Sequence, residues 1–152
     1  MHGLLLFLHI LGFTWWLGGG MAAMVAGVAA KNFAPDERLA VYRGLSALAR
    51  IIVAPGAFLV LATGIMLMLS SGGTGADAPP AWLGIMLAAG LVGALIMLII
   101  VVPTAAKLGR LTPDPRGDLP EAFTGLRKRH ALFATIAGML GLIALVAGTV
   151  LR

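Results

Sequence analysis

Residues 3–30 read GLLLFLHILGFTWWLGGGMAAMVAGVAA and contain no Asp, Glu, Lys or Arg. Because about 20 apolar residues in a helix cross the hydrocarbon core of a bilayer, this stretch is long enough to span a membrane. Three further runs also lack these charges, at 51–76, 78–106 and 131–151. Polarity does not alternate along them as it would in a transmembrane β-strand, and backbone groups in lipid must be satisfied internally. The sequence therefore predicts four membrane-spanning helices, near 4–27, 48–70, 81–103 and 130–151.

The composition agrees with this prediction. Of the 152 residues, 60% are hydrophobic and only 11% are charged, too few to cover a soluble domain of this size. We therefore expect an all-α, integral membrane four-helix bundle that occupies the whole chain as a single domain. The absence of cysteine excludes disulfides, thiolate metal sites and iron–sulfur clusters. No nucleic-acid-binding motif is visible, and no carboxylate lies inside a predicted span to support proton or cation transport.

Basic residues predict the orientation. Ten of the 11 Lys and Arg residues lie between the first and second or between the third and fourth of these charge-free runs, whereas the connection SSGGTGADAPP has none. The positive-inside rule then places both basic connections in the cytoplasm and both termini outside it, in an antiparallel bundle of a multi-pass membrane protein. The first span is expected to be a retained helix rather than a signal peptide.

The two basic connections should themselves carry helix. Pro35 suits a first helical position and is followed by Asp36 and Glu37, which favour the positive end of a helix. We expect this helix to continue into span two, with a kink at Pro55 and Gly56. A second helix should open at Pro120 and Glu121 and continue into span four.

Helical phase predicts the faces that pack together, because small residues let membrane helices approach closely. The predicted inward stripes are His9, Phe13, Trp16, Gly20 and Gly27 on span one, Met86, Gly90, Gly93 and Met97 on span three, and His130, Ala134, Ala137, Gly141 and Gly148 on span four.

His9 is the first candidate for chemistry, since ionisable groups inside a bilayer are costly. One interpretation is a neutral imidazole that donates a hydrogen bond to a backbone carbonyl or to a threonine such as Thr14 or Thr63. Another is a metal or haem ligand, and a third is a group that handles protons. His130, at the cytoplasmic edge, is expected to meet solvent or phosphate, or to form a second site.

Two methionines are expected near the depth of His9, namely Met66 and Met86. Imidazole and thioether together form a soft donor set that suits Cu(I) or His/Met ligation of haem, although methionine is also a common filler of apolar interfaces. Trp16 shares the face of His9, so it either packs in the core or lines a planar cofactor.

The stretch LHILGFTWWLGG, with His9, Trp16 and Gly18, resembles the first span of small bacterial membrane proteins related to copper-resistance protein D (CopD) and of HemJ, a four-helix protoporphyrinogen IX oxidase. The similarity extends through RLAVYRGLSALARIIVAPG, Gly64 and Trp82, and Met86 stands where HemJ has a lysine. The resemblance implies a bacterial inner membrane and a role for His9 as a haem ligand or as a residue that handles copper.

These observations predict a small membrane protein that binds a b-type haem or copper through His9, with Trp16 as a further cofactor contact and Met66 or Met86 as a further metal donor. Two alternatives stay open. One is a cofactor-free membrane subunit, homo-oligomeric or bound to a partner protein, and the other is a haem-dependent membrane oxidase.

Overall fold

The computed structural model describes residues 2–70 and 80–151. In these ranges the chain forms four long helices: α1 (His2–Asn32), α2 (Pro35–Ser70), α3 (Ala81–Leu108) and α4 (Ala122–Thr149). Each contains an 18-residue stretch whose mean hydropathy lies between 1.5 and 3.0, and all four are long enough to cross a membrane. The all-α fold is therefore confirmed, and the helices have the length and hydropathy of a multi-pass membrane protein. The predicted outer connection at 71–79 lies outside the described residues.

Both predicted helical extensions are present. Helix α2 begins at Pro35 and continues without interruption into the second apolar run, and the Glu37 carboxylate accepts a hydrogen bond from the Ala34 N–H at 3.3 Å. Helix α4 begins at Ala122, just after the predicted opening, and continues through His130 into the fourth apolar run. We call the end of the bundle that carries the connections 33–34 and 109–121 the basic end.

Helices α2 and α3 each contain one π-helical segment, Ala49–Val53 and Met97–Val101. The Ala54 N–H reaches back five residues to the Ala49 carbonyl, and the Val102 N–H reaches back five residues to the Met97 carbonyl. A proline lies two residues after the end of each segment, in the matching sequences IIVAP (51–55) and IIVVP (99–103). Because proline has no N–H, it removes one α-helical hydrogen bond, and a wider turn beside it is one way in which a helix adjusts. The irregularity predicted at Pro55 thus takes the form of a π turn just before it.

Helices α1 and α2 form an antiparallel pair that crosses at two glycines. A Cβ atom added at Gly12 would stand 2.8 Å from the Gly56 carbonyl oxygen, and one added at Gly19 would stand 2.7 Å from the Val53 side chain. Gly20 faces open space instead, with nothing within 4 Å of its Cβ position. The prediction that Gly20 lies in a helix interface is therefore wrong, because its neighbour Gly19 occupies the seam.

Helices α3 and α4 form the second antiparallel pair, and Trp16 of α1 joins it to the first. The six-membered ring of Trp16 lies 3.0 Å from the Cβ position of Gly93 and 3.6 Å from that of Gly141, and the side chain is fully buried. Gly90 faces Ala144 and Gly148 faces Met86. The inward faces predicted for Gly90, Gly93, Gly141 and Gly148 are thus confirmed.

A second cluster closes the basic end. Leu39 and Tyr42 of α2 pack against Leu108 of α3 and Phe123 of α4, with the Tyr42 and Phe123 rings edge to face at 5.1 Å. The Arg38 guanidinium lies 5.0 Å from the centre of the Phe123 ring. The helical extensions therefore carry a core of their own.

Candidate functional site

His9 projects from α1 onto α2, where it meets one polar side chain. Its Nδ1 atom lies 3.0 Å from the Oγ1 atom of Thr63. The Thr63 hydroxyl also lies within hydrogen-bond reach of the Leu59 carbonyl, one turn back on α2. The hydrogen bond to Thr63, one of the two threonines expected, is therefore confirmed. Thr14, the other, bonds instead to the Ile10 carbonyl at 3.0 Å.

These two hydrogen bonds favour the His9 tautomer that carries its proton on Nδ1. A carbonyl accepts only, so the single hydroxyl proton of Thr63 is donated to Leu59. The Thr63 oxygen then accepts from His9, which requires that Nδ1 carries the imidazole hydrogen. In that neutral tautomer Nε2 carries the lone pair. This is the arrangement by which outer-shell groups orient a histidine for metal coordination.

The position of the His9 ring is also fixed by its neighbours. Phe13 meets it edge to face with 5.3 Å between ring centres, and Phe13 stacks on Trp16 at 5.9 Å. On the other side a Cβ atom added at Gly64 would stand 3.1 Å from His9 Cε1. Gly64 thus makes room for the imidazole, a role that the sequence did not show.

A groove of about 60 Å³ opens beside His9 between α2 and α3. Its walls are apolar side chains together with Phe13, Gly64, Met86 and Gly90. Met86 therefore shares a groove with His9, although its sulfur also lies against Gly148 of α4. Met66 does not line this groove, and about half of its side chain is exposed on the outside of α2.

The other candidate residues lie elsewhere. Trp16 is fully buried where α1 meets α3 and α4, with Phe13 between it and His9. His130 lies 18 positions before Gly148 on α4, about 27 Å from the level of Met86. Its Nδ1 atom is buried without a hydrogen-bond partner among the described residues. A second site at His130 stays a prediction.

The groove distinguishes between the two expected cofactors by size. Pockets for drug-sized ligands measure roughly 300–1,000 Å³, so a groove of about 60 Å³ does not fit a porphyrin between the helices as they are packed. A single metal ion is small enough. In the described part of the chain no three His, Cys, Asp or Glu side chains are grouped to hold a metal. The donors within the groove are one imidazole and one thioether, which favour a soft ion such as Cu(I).

Comparisons of this chain with protein families, with curated proteins and with solved structures find no match.

Proposed function

We propose that this protein is a multi-pass protein of the bacterial inner membrane that handles copper as Cu(I) at His9. The observation that supports the proposal is the hydrogen-bonded chain from His9 through Thr63 to Leu59, because it leaves Nε2 as a lone-pair donor. Met86 supplies a thioether in the same groove. Both termini are proposed to lie outside the cytoplasm, which puts His9 in the outer half of the bilayer.

The residues suggest a binding or handling role rather than a defined reaction. A bound Cu(I) ion would supply one-electron chemistry, while this chain orients the imidazole ligand and provides an apolar groove around it. Thr63 holds the imidazole, Phe13 and Gly64 enclose it, and the apolar walls exclude water from the groove.

The test is Cu(I) binding by the purified protein in detergent under reducing conditions, measured by competition with a chromophoric chelator. His9→Ala should abolish binding at one equivalent, and Thr63→Val should weaken it about 10- to 100-fold, the usual effect of removing an outer-shell partner. Met86→Leu should also weaken it. His2→Ala is the matched control, since His2 lies on the exposed first turn of α1. Equal Cu(I) affinity in the parent and in His9→Ala would refute the proposal.

A second candidate is the cofactor-free membrane subunit. The observation that favours it is that His9 is already satisfied, since it donates to Thr63 and packs against Phe13. In that case His9→Ala would lower stability but the parent protein would bind no copper. The haem-dependent oxidase, by contrast, requires α2 and α3 to separate beyond the groove seen here.

A further inference from the structure

Arg50 is an exposed arginine that lies deeper along the bundle than Lys31 of α1 and the basic run of α4. It belongs to the π segment of α2, just before the second apolar run begins. The contact between Gly19 of α1 and Val53 of α2 shows how far along the bundle Arg50 lies. Arg50 is three residues before Val53, and the two helices are antiparallel. Arg50 therefore lies about 4.5 Å from the level of Gly19 toward the basic end.

Helices α1 and α4 carry no Lys or Arg until well beyond that level. On α1 the first basic residue after Gly19 is Lys31, about 18 Å away along the helix. Arg50 thus lies about 13 Å nearer the middle of the bundle than Lys31. Helix α4 gives a similar result, since Gly141 contacts Trp16 and the basic run ends at Arg129, about 18 Å further on. By this measure the Arg50 backbone is about 9 Å deeper than Arg129.

No acidic side chain of the described residues balances this charge. The described carboxylates belong to the two connections or to the helix ends beside them, and Asp36 and Glu37 precede Arg50 by 14 and 13 residues on the same helix. That spacing corresponds to about 20 Å. Within the described ranges Arg50 has no ion pair or hydrogen bond from its side chain. A guanidinium that faces lipid without a partner is costly, so its counter-charge must come from the bilayer.

Arg43 completes the arrangement. It is exposed, like Arg50, and precedes it by seven residues, which is two turns of the same helix face and about 10.5 Å along the axis. Side chains on a helix lean toward its N-terminus, which for α2 is the basic end. Arg50 is therefore directed toward the level of Arg43, the direction in which a long cationic side chain reaches the headgroups.

We propose that Arg43 and Arg50 together bind the phosphodiester of an anionic phospholipid in the leaflet at the basic end. Both arginines lie on one exposed face of α2, and because Arg50 leans toward Arg43, a phosphate beside Arg43 is within reach of both side chains. Arginine binds phosphate through paired, charge-assisted hydrogen bonds, which suits it to this ligand. The site is independent of His9 and of any metal.

The test is native mass spectrometry of the full chain in detergent, titrated with phosphatidylglycerol or with phosphatidylcholine of the same acyl chains. Arg50→Gln and Arg43→Gln should each weaken the first phosphatidylglycerol site at least fivefold, the equivalent of about 1 kcal/mol for one basic residue near an anionic lipid surface. The double variant should lose little more than either single variant, because one phosphate needs both groups. Arg116→Gln is the matched control, since it removes the same charge from the connection 109–121.

Three results would overturn the proposal. The first is a loss in Arg50→Gln no larger than in Arg116→Gln, which would indicate general attraction to a basic surface. The second is equal binding of phosphatidylcholine, and the third is displacement of the lipid by millimolar inorganic phosphate, which would indicate a site for soluble anions. If Arg50→Gln does not fold, Arg43→Gln and Arg50→Lys decide the question. The lysine variant keeps the charge but not the paired hydrogen bonds, so it should bind more weakly than the parent, and Arg43→Gln should again be weakened at least fivefold.

Discussion

The crossing of α1 and α2 at Gly12 is the contact most sensitive to added volume. A Cβ atom at Gly12 would stand 2.8 Å from the Gly56 carbonyl oxygen, 2.9 Å from the Val60 nitrogen and 3.0 Å from the Leu59 Cβ. Two of these atoms are backbone, so they cannot rotate away. Since ordinary contact begins near 3.4 Å, the two helices must separate by about 0.6 Å at this point in Gly12→Ala.

The cost follows from the packing that this separation loosens. A gap of about 0.5–1 Å forfeits a quarter to a half of the dispersion energy of each atom pair along the crossing. We therefore expect Gly12→Ala to lose about 1–3 kcal/mol, the usual range for overpacking. Replacing glycine by alanine inside a helix also gains about 1 kcal/mol of helix propensity. Gly20→Ala has the same gain without the clash, so the difference between the two variants isolates the overpacking.

The assay is reversible unfolding in mixed micelles with increasing denaturing detergent, followed by helical circular dichroism. Gly20→Ala should unfold at or above the midpoint of the parent, and Gly12→Ala should be less stable than Gly20→Ala by about 1–3 kcal/mol. Gly56→Ala should behave like Gly12→Ala, because its Cβ would stand 2.8 Å from Trp15 and Trp16 atoms. Equal midpoints for Gly12→Ala and Gly20→Ala would refute the close contact between α1 and α2 at Gly12.

Three further predictions concern the site, the core and the orientation. Gly64→Ala should weaken Cu(I) binding, because the new Cβ would stand 3.1 Å from the His9 ring and displace it. Gly84→Ala is the control, since it has open space around it and should leave binding unchanged; equal Cu(I) affinities for the two variants would contradict this. Trp16→Ala should lower the free energy of unfolding by about 3–5 kcal/mol in the same micelle assay, because the side chain is fully buried. A loss below about 1 kcal/mol would show that Trp16 does not pack in the core between the two helix pairs. Alkaline phosphatase fused after Arg152 should be active and green fluorescent protein dark, whereas the reverse pattern would reject the proposed orientation.

The helices could be predicted from the sequence because a bilayer leaves the backbone few choices. Apolar runs of the right length must be helical, and Pro35 with its acidic neighbours marks the start of α2. The bounds extend past the predicted spans since the extensions pack on one another, as Leu108 does on Phe123. Hydrophobicity alone does not report that contact.

The faces of the helices were only partly predictable. Gly18, Gly19 and Gly20 follow one another, and each successive position turns by about 100°, so one of them faces any given direction. Only the partner helix decides which one is covered, and Val53 covers Gly19. The close contact at Gly12 could not be predicted for the same reason, because it depends on Gly56, which is 44 residues away in the chain.

The site shows a similar limit. Thr63 could be named as a partner of His9 because a buried imidazole needs one and threonines are few in the spans. The need for Gly64 could not be seen, since it depends on how closely the imidazole approaches α2. The distinction between Met86 and Met66 also required the structure, because it depends on the rotation of two different helices.

The π turns at Ala49–Val53 and Met97–Val101 have a consequence for how this chain tolerates changes of length. A π turn holds one residue more than the α turn it replaces, and the helix on either side keeps its own face toward the bundle. Each of α2 and α3 therefore stores one surplus residue shortly before a proline. Loss of one residue from 49–53 removes that surplus and leaves both halves of α2 in phase, whereas the same deletion in the regular turns of α4 rotates everything beyond it by about 100°. The two segments are thus the places where a single-codon deletion can be absorbed within the span.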